Sequence, residues 1–278
     1  MFGFRRYISC GLAVLGVAMM FAVGCKKSDP VSSAVAISTD STALSGWTLL
    51  WHDEFDGPSL DTSVWIHEVN GNGGGNNELQ YYTNEARNCF VDQGTLVIQA
   101  LQEPYNNKSY TSARLNTSGT RDWLYGRVDV RAKLPKGRGL WPAIWMLPTD
   151  WVYGAWPASG ELDIMELLGD NPSRIYGTAH WGDATHHYQS GSAYVLSGGR
   201  SFSDAFHLFS CEWSADSLKW FVDGSEYYAI RNGKPFDQRF HLVLNVAVGG
   251  NWPGSPDGTT VFPQVMQVDY VRVYAKQQ

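Results

Sequence analysis

Between Gly160 and Glu166 the chain reads Gly-Glu-Leu-Asp-Ile-Met-Glu, three carboxylates within six residues set among Leu, Ile and Met. The apolar residues ask for burial and the acids ask for water. A β-strand serves both, because successive side chains alternate between its two faces. Glu161 and Asp163 then share one face and Glu166 falls on the other. One extra residue, a β-bulge, restores Glu166 to the acidic face. Met165, or alternatively Ile164, is placed to supply it.

The spacing carries chemistry. With the bulge, Glu161 and Glu166 stand about four strand steps apart, roughly 13 Å between Cα atoms at ~3.3 Å per step. Leaning inward, their carboxylates can come to roughly 5–6 Å. Retaining glycosidases hold two carboxylates ~5–5.5 Å apart, one to attack the sugar and one to protonate the leaving oxygen. Asp163, between them, can hydrogen-bond the attacking group and help hold the proton distribution. The plain alternative is a solvated acidic face, but crowding three like charges costs stability without a return.

The rest of the chain reads as β-structure. Tyr125 to Leu134 alternates charged and apolar residues, which predicts a strand with one wet face. Thr95 to Ala100 follows the turn residues Asp92-Gln93-Gly94, and Leu218 to Val222 and Glu226 to Ile230 flank the hairpin signal Asp223-Gly224. His241 to Val248 and Val265 to Tyr274 are further strands. No segment shows a helical period over a dozen residues, and no repeat of 20–50 residues suggests a propeller or solenoid. Many antiparallel strands punctuated by turns imply two stacked sheets.

The first residues stand apart. Arg5 and Arg6 precede an uncharged apolar run from Ile8 to Val23, followed by Gly24-Cys25 and the polar Lys26-Lys27-Ser28. The run is short for a membrane span. A Cys directly after Ala22-Val23-Gly24 resembles the lipobox of bacterial lipoproteins, with Ala22 where Leu is usual. Cys25 is thus the expected lipidated residue, and an ordinary secretory signal cut after Gly24 is the alternative. Lys26 lacks the Asp-type signal for inner-membrane retention, which favours the outer membrane or cell surface. The expected organisation is a signal over 1–24, a Ser/Thr-rich tether over 25–45 and one large β domain over 46–278.

Net charge is −6 with no basic run beyond Lys26-Lys27, which argues against nucleic acid as a partner. Of the four Cys, only Cys89 and Cys211 fall in the domain; they either pair in an oxidising compartment or stay as buried thiols. His186-His187 sits in a polar stretch without ligand partners at zinc spacing. Twelve Trp, many beside Gly and Pro, exceed what a core needs. Aromatic rings along a groove suit the C–H faces of sugars.

The bulged triad, read together with Gly139-Leu-Trp-Pro-Ala-Ile-Trp-Met-Leu-Pro148, resembles glycoside hydrolase family sixteen, and its laminarinase branch most of all. Collinear segments agree: Trp51 to Gly57, Asn76 to Thr83, Tyr110 to Arg114, Gly177 to Trp181, Leu244 to Gly254 and Val268 to Tyr274. The resemblance implies an all-β jelly-roll sandwich of two curved antiparallel sheets with a concave substrate cleft. It implies retaining endo-hydrolysis of β-1,3-glucan, with mixed-linkage β-1,3-1,4-glucan as a second substrate, because members specialised for lichenan resemble a strand without the bulge. Glu161 corresponds to the nucleophile, Glu166 to the acid/base and Asp163 to the assisting carboxylate. Asn77 and Arg114 would hydrogen-bond glucose hydroxyls, and Trp141 and Trp145 would stack on the sugars. His180 would reach the acid/base or the leaving sugar, and Trp252 would form a rim platform. Many relatives carry a Trp in the loop corresponding to Gly71 to Gly75, and none stands here, so the product pattern stays open.

No cofactor is expected for catalysis. A structural Ca²⁺ is expected at positions matching Glu54, Gly94 and Asp269, with Asp269 paired to an arginine as the alternative. A monomer acting on polysaccharide is expected. Two other functions stay open: a surface glycan-binding protein, and a hydrolase or transglycosylase of the same fold acting on another glycan such as agarose.

Overall fold

The protein is described by a computed structural model over residues 43–277. The signal, Cys25 and most of the tether lie outside the described residues. In chain order the strands are β1 (Trp47–Asp53), β2 (Ile66–His67), β3 (Gln80–Tyr82), β4 (Cys89–Asp92), β5 (Thr95–Tyr105), β6 (Lys108–Ser112), β7 (Arg114–Asn116) and β8 (Gly126–Lys133). They continue as β9 (Leu140–Pro148), β10 (Glu161–Leu167), β11 (Arg174–Gly182), β12 (His187–Val195), β13 (His207–Trp213), β14 (Ser217–Val222), β15 (Ser225–Arg231), β16 (Phe240–Val248) and β17 (Gln264–Lys276). Among the described residues the one helical turn is a 3₁₀ turn at Gly73–Gly75.

Two sheets result. One has ten strands in the order β15-β14-β13-β8-β17-β5-β6-β3, with β1 joined to β17 and β4 to β5. The other has seven, in the order β12-β11-β10-β9-β16-β7-β2. Neighbours run antiparallel apart from β3 and β6, which are parallel. Two hairpins have the expected turns, since Asp223 and Gly224 (φ 49° and 79°), like Gln93 and Gly94 (φ 48° and 74°), both lie in the left-handed region.

The core fills the space between the sheets, and period two decides what enters it. β16 sends Phe240, Leu242, Leu244, Val246 and Val248 inward and turns Asn245 and Ala247 to the opposite face. In β10 the inward set is Leu162, Ile164, Met165 and Leu167. Burying four such side chains stabilises by ~6–12 kcal/mol, at ~1.5–3 kcal/mol each. That gain helps hold an acidic strand in place.

The strand from Gly126 to Lys133 is wet on only half of its charged face, at Arg131 and Lys133. Arg127 and Asp129 are buried: Arg127 donates Nε–H to Asp129 (2.7 Å), Nη1–H to Glu212 (2.8 Å) and Nη2–H to Ser210 (3.1 Å). The alternation was right, but β8 lies inside a ten-stranded sheet, and charges on its neighbours and the ring of Phe221 cover the other half of that face. Cys89 and Cys211 are both free and buried.

Candidate active site

A cleft of about 980 Å³ lies on the face of the seven-stranded sheet that points away from the core. Its floor is β10, flanked by β9 and β11. The bulge is present: Asp163 pairs with Trp145 and Met165 with the next residue back, Ile144, so Ile164 has no partner on β9. On the β11 side the register slips between Asp163 and Glu166. Ile164 and Met165 both turn into the core, and Glu161, Asp163 and Glu166 all line the cleft. The buried Trp220, from the facing sheet, donates its indole N–H to the Asp163 carbonyl at 2.8 Å and pins the bulge from below. Gly177 on β11 makes room for this: a Cβ there would stand 2.5 Å from Trp220 and 2.4 Å from the Tyr227 hydroxyl.

Each glutamate receives an indole N–H. Trp141 donates to Glu166 at 3.0 Å, and Trp156 donates to Glu161 at 2.9 Å. His180 Nε2 approaches Asp163 Oδ2 to 3.0 Å. One ligand atom from each of Glu161, Asp163 and His180 lies within 4.8 Å of the others, the one such group of three acids and histidines among the described residues. Burial first, then the field of Asp163, pushes Glu161 up to about 8, against the opposing pull of His180, Trp156 and Arg114. Burial raises Asp163 to about 8 as well. Glu166 is raised well above the ordinary range by burial and by both other carboxylates, which outweigh His180 and Trp141. The proton held longest therefore sits on Glu166, and Glu161 is the glutamate better supplied for ionisation. The difference between them runs in the direction that an acid and a nucleophile require, although at about 8 Glu161 must still lose its proton before it attacks.

The walls are aromatic. Trp145 donates to Asn245 Oδ1 (2.7 Å) and lies under the Arg114 guanidinium, 4.6 Å from ring centre to Cζ; Arg114 also pairs with Glu68 (3.1 Å). Trp252, 42% exposed, packs edge-on against Trp141 (5.5 Å) and Tyr176 (5.0 Å). The sequence reading put Trp141, Trp145, Arg114, His180 and Trp252 on the cleft, and all five line it.

It misplaced one residue and missed two. Asn77 is exposed and donates its amide to Asn251 at 2.9 Å, tying two loops together, while its neighbour Asn76 lines the cleft. A one-residue shift in an irregular loop with positive φ at Asn77 is invisible to periodicity. Trp156 was missed; its only signal was a Trp beside Pro157 in the loop leading into β10. His187 was read as partnerless, yet it opens β12 beside His180.

The strand register brings Glu54, Gly94 and Asp269 to the same stretch of β17, where β1 ends and β5 begins, but both carboxylates are already paired. Both carboxylate oxygens of Glu54 accept from Arg272 (2.8 and 2.7 Å), and Asp269 accepts from Arg131 at 2.5 Å. Gly94 occupies the β4–β5 turn. Arginines neutralise the two carboxylates on which a cation would draw, so the donor set does not fit the ion in this structure; Asp269 follows the arginine alternative, with Arg131 as partner.

A β-sandwich with paired buried carboxylates beneath a tryptophan-walled groove is the architecture of a polysaccharide hydrolase. The family model described as "Glycosyl hydrolases family 16" matches residues 76–272. A beta-glucanase from Rhodothermus marinus is 46% identical over 246 residues, 82% of this chain and 85% of that protein. Glucan endo-1,3-beta-glucosidase A1 of Niallia circulans is 42% identical over 280 residues, 90% of this chain; the chain spans only 41% of that longer protein. The laminarinase catalytic domain from Thermotoga maritima superposes with a TM-score of 0.78 at 45% identity, covering 84% of this chain and 99% of that domain. The chain belongs to glycosyl hydrolases family 16.

Proposed function

We propose that the chain is a retaining endo-β-1,3-glucanase of laminarin type that also accepts mixed-linkage β-1,3-1,4-glucan. The observation that carries this reading is the bulged β10, which sets Glu161, Asp163 and Glu166 side by side on the cleft floor with an indole N–H on each glutamate. Glu166 gives its proton to the glycosidic oxygen as Glu161 attacks the anomeric carbon; the C–O bond breaks and a glycosyl ester forms on Glu161. Glu166, now ionised, takes a proton from water, which attacks the same carbon and releases Glu161. Asp163 and His180, in contact, compensate the charge changes on either side. Both named glucanase relatives and the laminarinase domain support glucan as the substrate class.

The deciding experiment is reducing-end release by residues 46–278 on laminarin, lichenan and agarose. Laminarin should be cut fastest, and Glu161→Gln should abolish release while keeping the protein on a laminarin gel. Retention on the gel without cleavage by the parent would establish a glycan-binding protein instead.

Export and lipidation at Cys25, with the outer membrane as destination, is the reading that Arg5-Arg6, the apolar run and Gly24-Cys25 support. Labelled palmitate should enter the full chain in cells and not its Cys25→Ala variant. The domain is read as a monomer.

A further inference from the structure

Next to the triad, His180 is paired with a second imidazole, His187, to which double displacement gives no role. His180 on β11 faces Glu161 across the sheet, and His187 opens β12 opposite Gly182. Their rings stack at 5.1 Å with 23° between planes, and His180 Nδ1 stands 2.9 Å from His187 Nε2. The other nitrogen of His180 is the one that meets Asp163 Oδ2 at 3.0 Å. Trp156 covers His187 at 4.8 Å while its N–H binds Glu161.

Two neutral ring nitrogens at hydrogen-bond distance need one donor and one acceptor. When Asp163 is ionised, its charge 3.0 Å away favours the proton of His180 on Nε2, a contact at ion-pair distance rather than an aligned hydrogen bond. The Nδ1 of His180 must then accept, and His187 must donate from Nε2. When Asp163 is protonated, His180 Nε2 is left as acceptor, its proton moves to Nδ1, and His187 Nε2 must accept. While Asp163 is ionised, His187, exposed at the start of β12 and packed against Trp156, holds His180 in the first arrangement by donating from its Nε2. The charged and titratable groups around the pair are Glu161, Asp163 and Glu166 from β10, Arg114 from β7, Tyr176 from β11, and Asp183 with His186 from the turn between β11 and β12. Glu161 and Asp163 each bring an oxygen within 4.8 Å of a His180 nitrogen, so an imidazole fixed in one form decides which group holds the proton.

We propose that His187 is a positioning residue for the triad: it fixes the tautomer of His180, and through it the proton carried by Asp163, as the glucan is cut. The role of the pair in turnover rests on the glucanase reading above; the tautomer coupling stands on geometry alone.

Two variants test it. His187→Phe keeps a ring against Trp156 and has neither donor nor acceptor; His187→Gln presents an N–H or a C=O. On laminarin, H187F should lose about tenfold in kcat, the equivalent of one hydrogen bond to the reacting cluster, with KM within about twofold. H187Q should recover most of that loss. Long-range ¹H–¹⁵N spectra should show one dominant His180 tautomer in the parent and in H187Q, and a mixture in H187F. The proposal is overturned if H187F keeps the parent's kcat and His180 tautomer, or if both variants raise KM alone, which would make His187 a sugar contact. If the parent cuts no laminarin, the glucanase reading fails, and the spectra still decide the coupling.

Discussion

Glu161 and Glu166 share a strand, a face and a type of partner, and what separates their tasks is the balance of charge around each. Glu166 feels both other carboxylates, while Glu161 has Asp163 against it but His180, Trp156 and Arg114 in its favour. Trp156 is the partner that mutation can remove most cleanly. Trp156→Phe keeps the ring over His187 and takes the N–H from Glu161. A donor to a carboxylate favours the ionised form, so its loss raises the pKa of Glu161. The acid limb of kcat/KM on laminarin should therefore move to higher pH, and kcat at neutral pH should fall about tenfold or more, since a hydrogen bond to a charged group is worth ~1.5–3 kcal/mol. An unmoved acid limb would remove Trp156 from the machinery. Trp156 also shows where sequence reading stops. The triad was legible because acids among apolar residues at that spacing have few structural excuses. Trp156 was not, because its loop is laid down by distant contacts, Gln238 binding Ser159 and Val152 among them.

At the scale of the element, β10 is a regular strand plus one residue. Parity places a bulge between Asp163 and Glu166, because side-chain direction is fixed by count, but the first candidate, Met165, keeps a partner on β9 and the alternative, Ile164, is the unpaired residue. What parity could not see was the support from below, the Trp220 indole on the Asp163 carbonyl, which comes from the opposite sheet. The same limit explains β8: alternation gave its two faces, but whether the charged face met water depended on β13, β14 and β17. Deleting Ile164 tests the bulge itself. The deletion restores strict alternation, with Met165 inward and Glu166 still toward the cleft, at the same four strand steps from Glu161 but without the local bend that the bulge gives the strand. The fold should survive with a loss of about 2–5 kcal/mol, the usual effect of removing a large buried aliphatic side chain. Activity on laminarin should fall by roughly a hundredfold, the order expected when a reacting group is displaced by about 1 Å. The residual activity should shift toward lichenan. A deletion variant that keeps the parent's laminarin-to-lichenan ratio would show that the bulge does not set substrate choice.

Across the whole molecule, two opposed sets of carboxylates shape stability against pH. The first ties the two ends of the β domain: β1 pairs with β17, and just beyond it Glu54 forks onto Arg272. Burial pushes Glu54 up, but the hydrogen bonds and charge of Arg272 outweigh it and hold Glu54 below its ordinary value. A depressed acid stabilises the fold above its unfolded pKa, and that contribution is lost as pH falls through the folded one. The second set is the triad, where all three pKa values are raised. Here the folded state keeps protons that the unfolded chain has released. Stability then falls as pH climbs from about 4.5 toward 8. Tm should therefore peak near pH 5 and decline on both sides. Glu166→Gln mimics the protonated acid and still accepts from Trp141, so it should flatten the alkaline decline, gaining most near pH 8 and little at pH 4, while abolishing turnover. Glu54→Gln should lower Tm at neutral pH and weaken the acid decline, leaving the alkaline side alone. Equal gains from Glu166→Gln at pH 4 and pH 8 would mean that its proton is not held by the fold. The acid that cleaves the glycosidic bond would then have to draw its raised pKa from the bound sugar rather than from the empty cleft.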